Sequence, residues 1–290
     1  GHEPTLACLE QGANVVITGR STDSALFLAP AMYKMGWAAD DWDNLARGIM
    51  AGHLLECGGQ GAGGNYMYDW RGVPRMDELG FPIAELTPDT FEITKAPDCG
   101  GIICEQSCKE QFLYEVHDPA NYVTLAQQGE NRVRVGNVRG KARPDTLKLS
   151  IGYHAGYKVA GMLSFAWPDA YEKAHYAAEI IMKKMKRKGL QYEDIRIDYI
   201  GLNALHLDVA EIAPKEVKDL NEVVLRIAIR TKTKEECAKI VPEFAPLQLN
   251  GPPGASFFGG RAKIQEVIGL WPTLIPRDAL HLQSHILEIK

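Results

Sequence analysis

No run of the 290-residue sequence reaches the roughly 18 consecutive apolar residues of a membrane-spanning helix, and no secretory leader pattern is present. Positive charge is in short supply. Lys and Arg total 32 against 37 Asp and Glu, the net charge is -5 and the pI is about 5.9, which argues against a nucleic-acid surface built on bulk charge. The six cysteines lack the paired Cys-x2-Cys spacing of zinc ribbons: Cys99, Cys104 and Cys108 are spaced Cys-x4-Cys-x3-Cys, so reduced thiols and no metal are expected. There is no Gly-Lys-Ser/Thr phosphate loop and no glycine fingerprint directly after a strand, so neither common nucleotide-binding class is supported. What is present, 46% hydrophobic and 24% charged residues, is the composition of a globular chain long enough for one large or two medium domains. The expectation is a cytoplasmic protein acting on a small molecule, with no nucleic-acid or membrane partner.

The most informative stretch runs from His53 to Trp70. Asp40-Asp41 reads as an N-cap, and Trp42, Leu45 and Ile49 recur at helical spacing, which predicts a helix whose inward stripe reaches His53. Glu56 and Cys57 follow at three and four positions, so an imidazole, a carboxylate and a thiol share one helix end. Five glycines then fall between Gly58 and Gly64, in a segment that continues to Tyr66 and Asp69. Glycine lets backbone N–H groups approach a ligand, so Gly63, Gly64, Tyr66 and Asp69 are binding candidates. The plain alternative is a hydrogen-bonded core histidine followed by a glycine-rich helix stop.

Upstream, Glu3 to Gly12 reads as a helix and Ala13 to Gly19 as a buried strand. A second helix then starts in Arg20-Ser21-Thr22-Asp23-Ser24, with Ser21 or Thr22 as cap. A strand, a turn and a helix N-terminus form a common anion site in α/β proteins, which makes Thr18, Gly19, Arg20, Asp23 and Ser24 substrate-binding candidates; first-turn capping is the alternative. Downstream, Asp77 to Thr87 leads into a strand, and Phe91 to Lys95 is its hairpin partner. Ser107 to Glu115 follows as a short helix, and His117-Asp118 before Pro119 reads as turn chemistry. Arg132 to Val135 and Thr146 to Tyr153 alternate as strands joined by Gly136 to Pro144. The clearest helix is Asp169 to Gly189, with Ala174, Ala178, Ile181 and Met185 inward and a solvated basic last turn. Strands at Ile195 to Gly201 and Val223 to Arg230, an amphipathic helix at Lys234 to Phe244, and a last strand at Leu280 to Ile289 complete the reading. Asn250 to Arg261, rich in Gly and stiffened by Pro252 and Pro253, reads as a shaped loop suited to binding or to connecting domains. The fold class is α/β: a parallel or mixed sheet with flanking helices over 1–124, continuing a larger N-terminal domain, then a layered α+β domain over 125–290.

Asn14 to Ser24, Asp41-Trp42, Ala51 to Cys57, Gly80 to Glu85 and Asn250-Gly251-Pro252, taken in order, resemble the acyclic terpene utilisation family AtuA over nearly the whole chain. The resemblance implies bacterial breakdown of branched acyclic terpenoids and related acids through coenzyme A thioesters. It also implies that this sequence is part of a longer chain, because the family carries further βα units before Asn14 and a short additional stretch near Thr124. On this basis the expected function is an enzyme that moves a proton next to a carbonyl, of hydratase, isomerase or lyase type. His53 or Glu56 would be the acid or base, Cys57 a less favoured nucleophile, and Arg20 the carboxylate or thioester anchor, with Asn250 and Gly251 contributing to binding. No cofactor is firmly implied beyond coenzyme A as part of the substrate, and a homo-oligomer is expected. The alternatives are a non-catalytic subunit with a partner chain and a metal-assisted hydrolase using His53 and Glu56.

Overall fold

The computed structural model describes residues 1–114, 123–210, 217–218 and 220–288. His117-Asp118 and the end of the helix expected at Ser107 to Glu115 lie outside the described residues. The chain divides into two compact units, Gly1–Leu147 with Pro276–Lys290, and Lys148–Ile275.

The first unit begins with α1 (Glu3–Glu10), α2 (Ala25–Met35) and α3 (Trp42–Leu55). Asp41 caps α3 as expected, accepting the backbone N–H of Asn44 at 3.3 Å. The hairpin β1 (Pro82–Leu86) and β2 (Phe91–Lys95) is also as expected. After α4 (Glu105–Leu113), β3 (Thr124–Gly129) and β4 (Arg132–Gly136) extend that hairpin into a four-stranded antiparallel sheet of order β1-β2-β4-β3. Phe91, Ile93, Val133 and Val135 alternate onto one face and pack with Leu54, Ile103, Cys108 and Phe112. The segment joining β4 to the next strand does not form a hairpin turn. It folds back over the start of α3, where the Gly140 N–H donates to Asp43 Oδ1 at 2.7 Å.

Two expectations fail here. Ala13 to Gly19 is not a strand: Val15 and Ile17 are 79% and 92% exposed, and no described strand lies alongside to pair with them. An apolar run acquires strand structure only from a neighbour that satisfies its backbone. The helix after it starts at Ala25, with Ser24 rather than Ser21 or Thr22 in the cap position and without a side-chain capping bond.

In the second unit, β5 (Thr146–Ala166) runs across the boundary and is followed by α5 (Ala170–Arg187), β6 (Asp194–Ile200) and β7 (Glu222–Thr231). Short helices at Lys234–Ala238 and Leu247–Asn250 lead to β8 (Ala255–Phe257) and β9 (Gln265–Pro276). The sheet order is β6-β7-β5-β8 with each neighbour along it antiparallel, the split β-α-β arrangement. Helices cover one face, as expected. Val223, Leu225, Ile227 and Ile229 of β7 meet Ala174, Ala178, Ile181 and Met185 of α5 and Cys237 and Ile240 beyond it. Fully burying Ile181 or Met185 stabilises by about 1.5–3 kcal/mol each. Both sheets are antiparallel, so the chain keeps its α/β class without the parallel sheet that was one of the two options for the N-terminal part. Among the described residues, 280–288 carry no strand, against expectation, and no helix is long and apolar enough to cross a membrane.

The basic end of α5 is partly paired. Lys184 and Lys188 both reach the buried carboxylate of Glu243, Lys184 Nζ at 3.1 Å. Burial by itself pushes Glu243 up, but the Lys188 and Lys184 bonds outweigh it and hold the carboxyl below its usual value. A depressed folded-state pKa stabilises above the unfolded glutamate value of about 4.3 and is lost as pH falls through the folded value. Glu243→Gln is therefore expected to lower stability by about 1–2 kcal/mol at neutral pH, since both lysines stay partly in water. The gap to the parent, read by urea unfolding, should close progressively below about pH 4; a gap independent of pH would refute the assignment.

Candidate functional site

The His53 region is assembled where α3 crosses α2 and meets α4. The crossing depends on missing side chains. A Cβ on Gly52 would lie 2.8 Å from Ser24 Cα and O, and one on Gly48 would lie 2.5 Å from Leu28 Cδ1. The buried side of α3 is accordingly Leu45, Gly48, Ala51, Gly52 and Leu54, whereas Ile49, placed inward by the apolar pattern, is 46% exposed. This rotation brings the turn carrying Asp23 and Ser24 against the residue preceding His53. Thr18, Gly19, Arg20 and Asp23 are exposed in that turn and Ser24 is half-buried.

His53 is half-buried and held by α4 from two directions. Its Nε2 lies 3.2 Å from the Phe112 carbonyl, and its own carbonyl accepts Nε2–H of Gln111 at 2.9 Å. A carbonyl only accepts, so Nε2 carries the proton and Nδ1 keeps the lone pair in the neutral ring. The Phe112 ring meets the imidazole edge-on at 6.4 Å between centroids. Gln111 is fully buried, and its Oε1 has no partner among the described residues. The sequence carries a weak signal for it, a Gln three positions after Cys108 on the buried face of α4.

Glu56 caps α3, and its Oε1 accepts the Cys57 thiol at 2.9 Å. The glycines that follow are spoken for by packing. Gly58–Ala62 is a 3-10 turn. The Gly63 N–H bonds Gln60 O and the Gly64 N–H bonds Gly59 O; Gly63 is at φ +94, and a Cβ on Gly61 would meet Leu54 O at 2.6 Å. Gly63 and Gly64 therefore direct their N–H groups into the turn itself. Tyr66 is buried with its hydroxyl 3.7 Å from Cys104 Sγ. Burial, together with the Cys104 contact, pushes its phenol up to about 12, so it is protonated at neutral pH. Asp69 is exposed and caps the short turn Trp70–Gly72, accepting the Gly72 N–H at 3.3 Å.

Asn250 and Gly251 belong to the second unit. They end the short helix Leu247–Asn250 and, with Asp169, Glu172, Lys173, Tyr176 and Pro252, line a cleft of about 700 Å³ against the first half of α5. The structure thus gathers the Arg20 to Ser24 turn with His53, Glu56 and Cys57 in one unit, and sets Asn250 and Gly251 in a cleft of the other. Among the described residues no cluster of three or more His, Cys, Asp or Glu has metal-binding geometry.

Compared with known proteins, residues 1–286 match the family model described as acyclic terpene utilisation family protein AtuA. No curated protein and no solved structure matches.

Proposed function

Because the chain belongs to the acyclic terpene utilisation family AtuA, we propose that it is a cytoplasmic enzyme of that pathway, moving a proton next to the carbonyl of a branched carboxylic acid or its coenzyme A thioester. His53 is the base. The supporting observation is the bond from its Nε2 to the Phe112 carbonyl, which selects the tautomer that keeps a lone pair on Nδ1. The Arg20 guanidinium and the first turn of α2 hold the carboxylate or thioester oxygen, because a cation and helix N-terminal N–H groups suit an anion. In support, Ser24 of that turn packs against Gly52, the residue preceding His53. Cys57 is not the nucleophile in this scheme: its thiol proton is directed at Glu56. Coenzyme A enters only as part of the substrate.

A thermal-shift screen against free coenzyme A, branched and dicarboxylic acyl thioesters and the corresponding free acids tests the reading. A ligand at 100 times its Kd stabilises by about 2.7 kcal/mol. A shift with thioesters or acids that is lost in Arg20→Ala is expected. Silence across the panel would favour a non-catalytic subunit, whose partner chain would co-purify with it.

A further inference from the structure

The N-terminal half of β5 and the whole of β9 form a ribbon with unusual surface chemistry. β7 pairs with β5 only from Tyr157 to Ala166, so the stretch before it has β9 as its partner. A two-stranded ribbon is marginal in water without something packed on it.

Its faces follow from two close approaches. A Cβ on Gly269 would lie 2.5 Å from the Tyr153 ring, and one on Gly152 would lie 3.3 Å from Ile268 Cγ2. Strand alternation then puts Leu149, Ile151, Tyr153 and Trp271 on one face, and Ile268, Leu270 and Leu274 with Lys148, Gly152 and Glu266 on the other. Ile268, Leu270, Trp271 and Leu274 are each 64–67% exposed. At the ~150–250 Å² that a large side chain carries, the ribbon shows roughly 700 Å² of apolar surface over its two faces, more than a monomer ordinarily leaves open. About half of it, ~350 Å², lies on the face of Ile268, Leu270 and Leu274, enough to form the apolar centre of the ~800 Å² that each partner contributes to a stable dimer, polar rim included.

Charge identifies the occupant. Lys148 and Glu266 are the only Lys, Arg, Asp or Glu side chains of the ribbon and share the Ile268 face. Gly269 lies against Tyr153, and the Arg277 N–H donates to the Asp145 carbonyl at 3.0 Å, so β9 runs opposite to β5 and the two charges fall toward opposite ends of that face. A two-fold axis through the middle of that face would set each Lys148 beside the Glu266 of a second copy, with the apolar residues between them. Such a patch is complementary to itself, the requirement of an isologous interface.

We propose that this ribbon is a dimerisation arm, and that the face carrying Ile268, Leu270 and Leu274 packs on the same face of a second copy of this chain. The test is sedimentation velocity and light scattering on the whole chain. The parent is expected at twice its 32.0 kDa mass. Leu270→Asp should weaken the dimer at least ~10-fold in Kd. Lys148→Glu and Glu266→Lys should each weaken it as well, and the double variant K148E/E266K should recover affinity, since the swap restores the opposite-sign pair across the axis. All three positions are open to water, and circular dichroism checks that each variant is folded. A monomeric parent, the result expected if another part of the same chain covers the ribbon, would overturn the proposal. So would a dimer indifferent to Leu270→Asp, or a double swap no tighter than its single variants.

Discussion

His53→Gln should fold and melt close to the parent while turning over substrate ~10²–10⁴-fold more slowly, the range expected for loss of a positioned general base. Glutamine is chosen for reach. Its Nε2 extends about as far as the imidazole Nε2 and donates to the same Phe112 carbonyl, so the clasp between α3 and α4 is kept and the lone pair of Nδ1 is removed. His53→Ala removes both, and should additionally cost about 1 kcal/mol or more of stability because a buried acceptor loses its donor. Comparing the two separates positioning from chemistry. The assay uses whichever acid or thioester stabilises the parent, and kcat is followed against pH. If His53→Gln retains full turnover with the parent's pH profile, His53 is only a structural clasp. If both variants are unfolded, the His53 contacts carry the first unit's stability instead.

Much of the fold was legible wherever one signal decided it. The α5 stripe of Ala174, Ala178, Ile181 and Met185 reads at helical spacing, and all four are buried. The β1–β2 hairpin is announced by alternation on both sides of a short polar turn. Where the reading went wrong, the deciding atoms were absent from the sequence pattern. The buried side of α3 is set by Gly48 and Gly52, which add nothing to an apolar count, so the apolar pattern alone points to Ile49 instead. The strand expected at Ala13 to Gly19 had the right composition, but composition does not supply the adjacent strand it needs.

The candidate site shows the same division. His53, Glu56 and Cys57 were found because ionisable groups at helical spacing are visible in one dimension. The glycines after them were equally visible, and in the structure several serve close packing: Gly61 against Leu54, Gly64 against Gly59. Glycine density records that backbone comes close to something, and leaves open whether that is a ligand or the protein itself. Gln111 and the Phe112 carbonyl, which orient His53, lie 58 and 59 residues away from it, and only the folded chain brings them there.

Gly52→Val should damage the first unit strongly, and the reason isolates what sets the α2 turn against the residue preceding His53. In an open helix, replacing Gly by Ala gains about 1 kcal/mol of helix propensity. At Gly52 the added Cβ meets the Cα and carbonyl oxygen of Ser24, backbone atoms that no rotamer change can move. Helix α2 must shift, and overpacking of this kind costs about 1–3 kcal/mol, with the two γ-carbons of valine pushing toward the upper end. Gly48 is the internal control. A Cβ there meets chiefly the end of the Leu28 side chain, with Trp37 Cζ3 at 3.1 Å, so Gly48→Ala should come out much nearer neutral as Leu28 turns aside. Urea unfolding of the two variants reads the difference. The functional consequence is separate: moving α2 draws Arg20, Asp23 and Ser24 away from His53, so the ligand-induced stabilisation of the parent should shrink in Gly52→Val even at temperatures where the variant is fully folded. If Gly52→Val binds ligand like the parent, the α2 turn is not part of the site, and the anion contact must be sought elsewhere in the first unit.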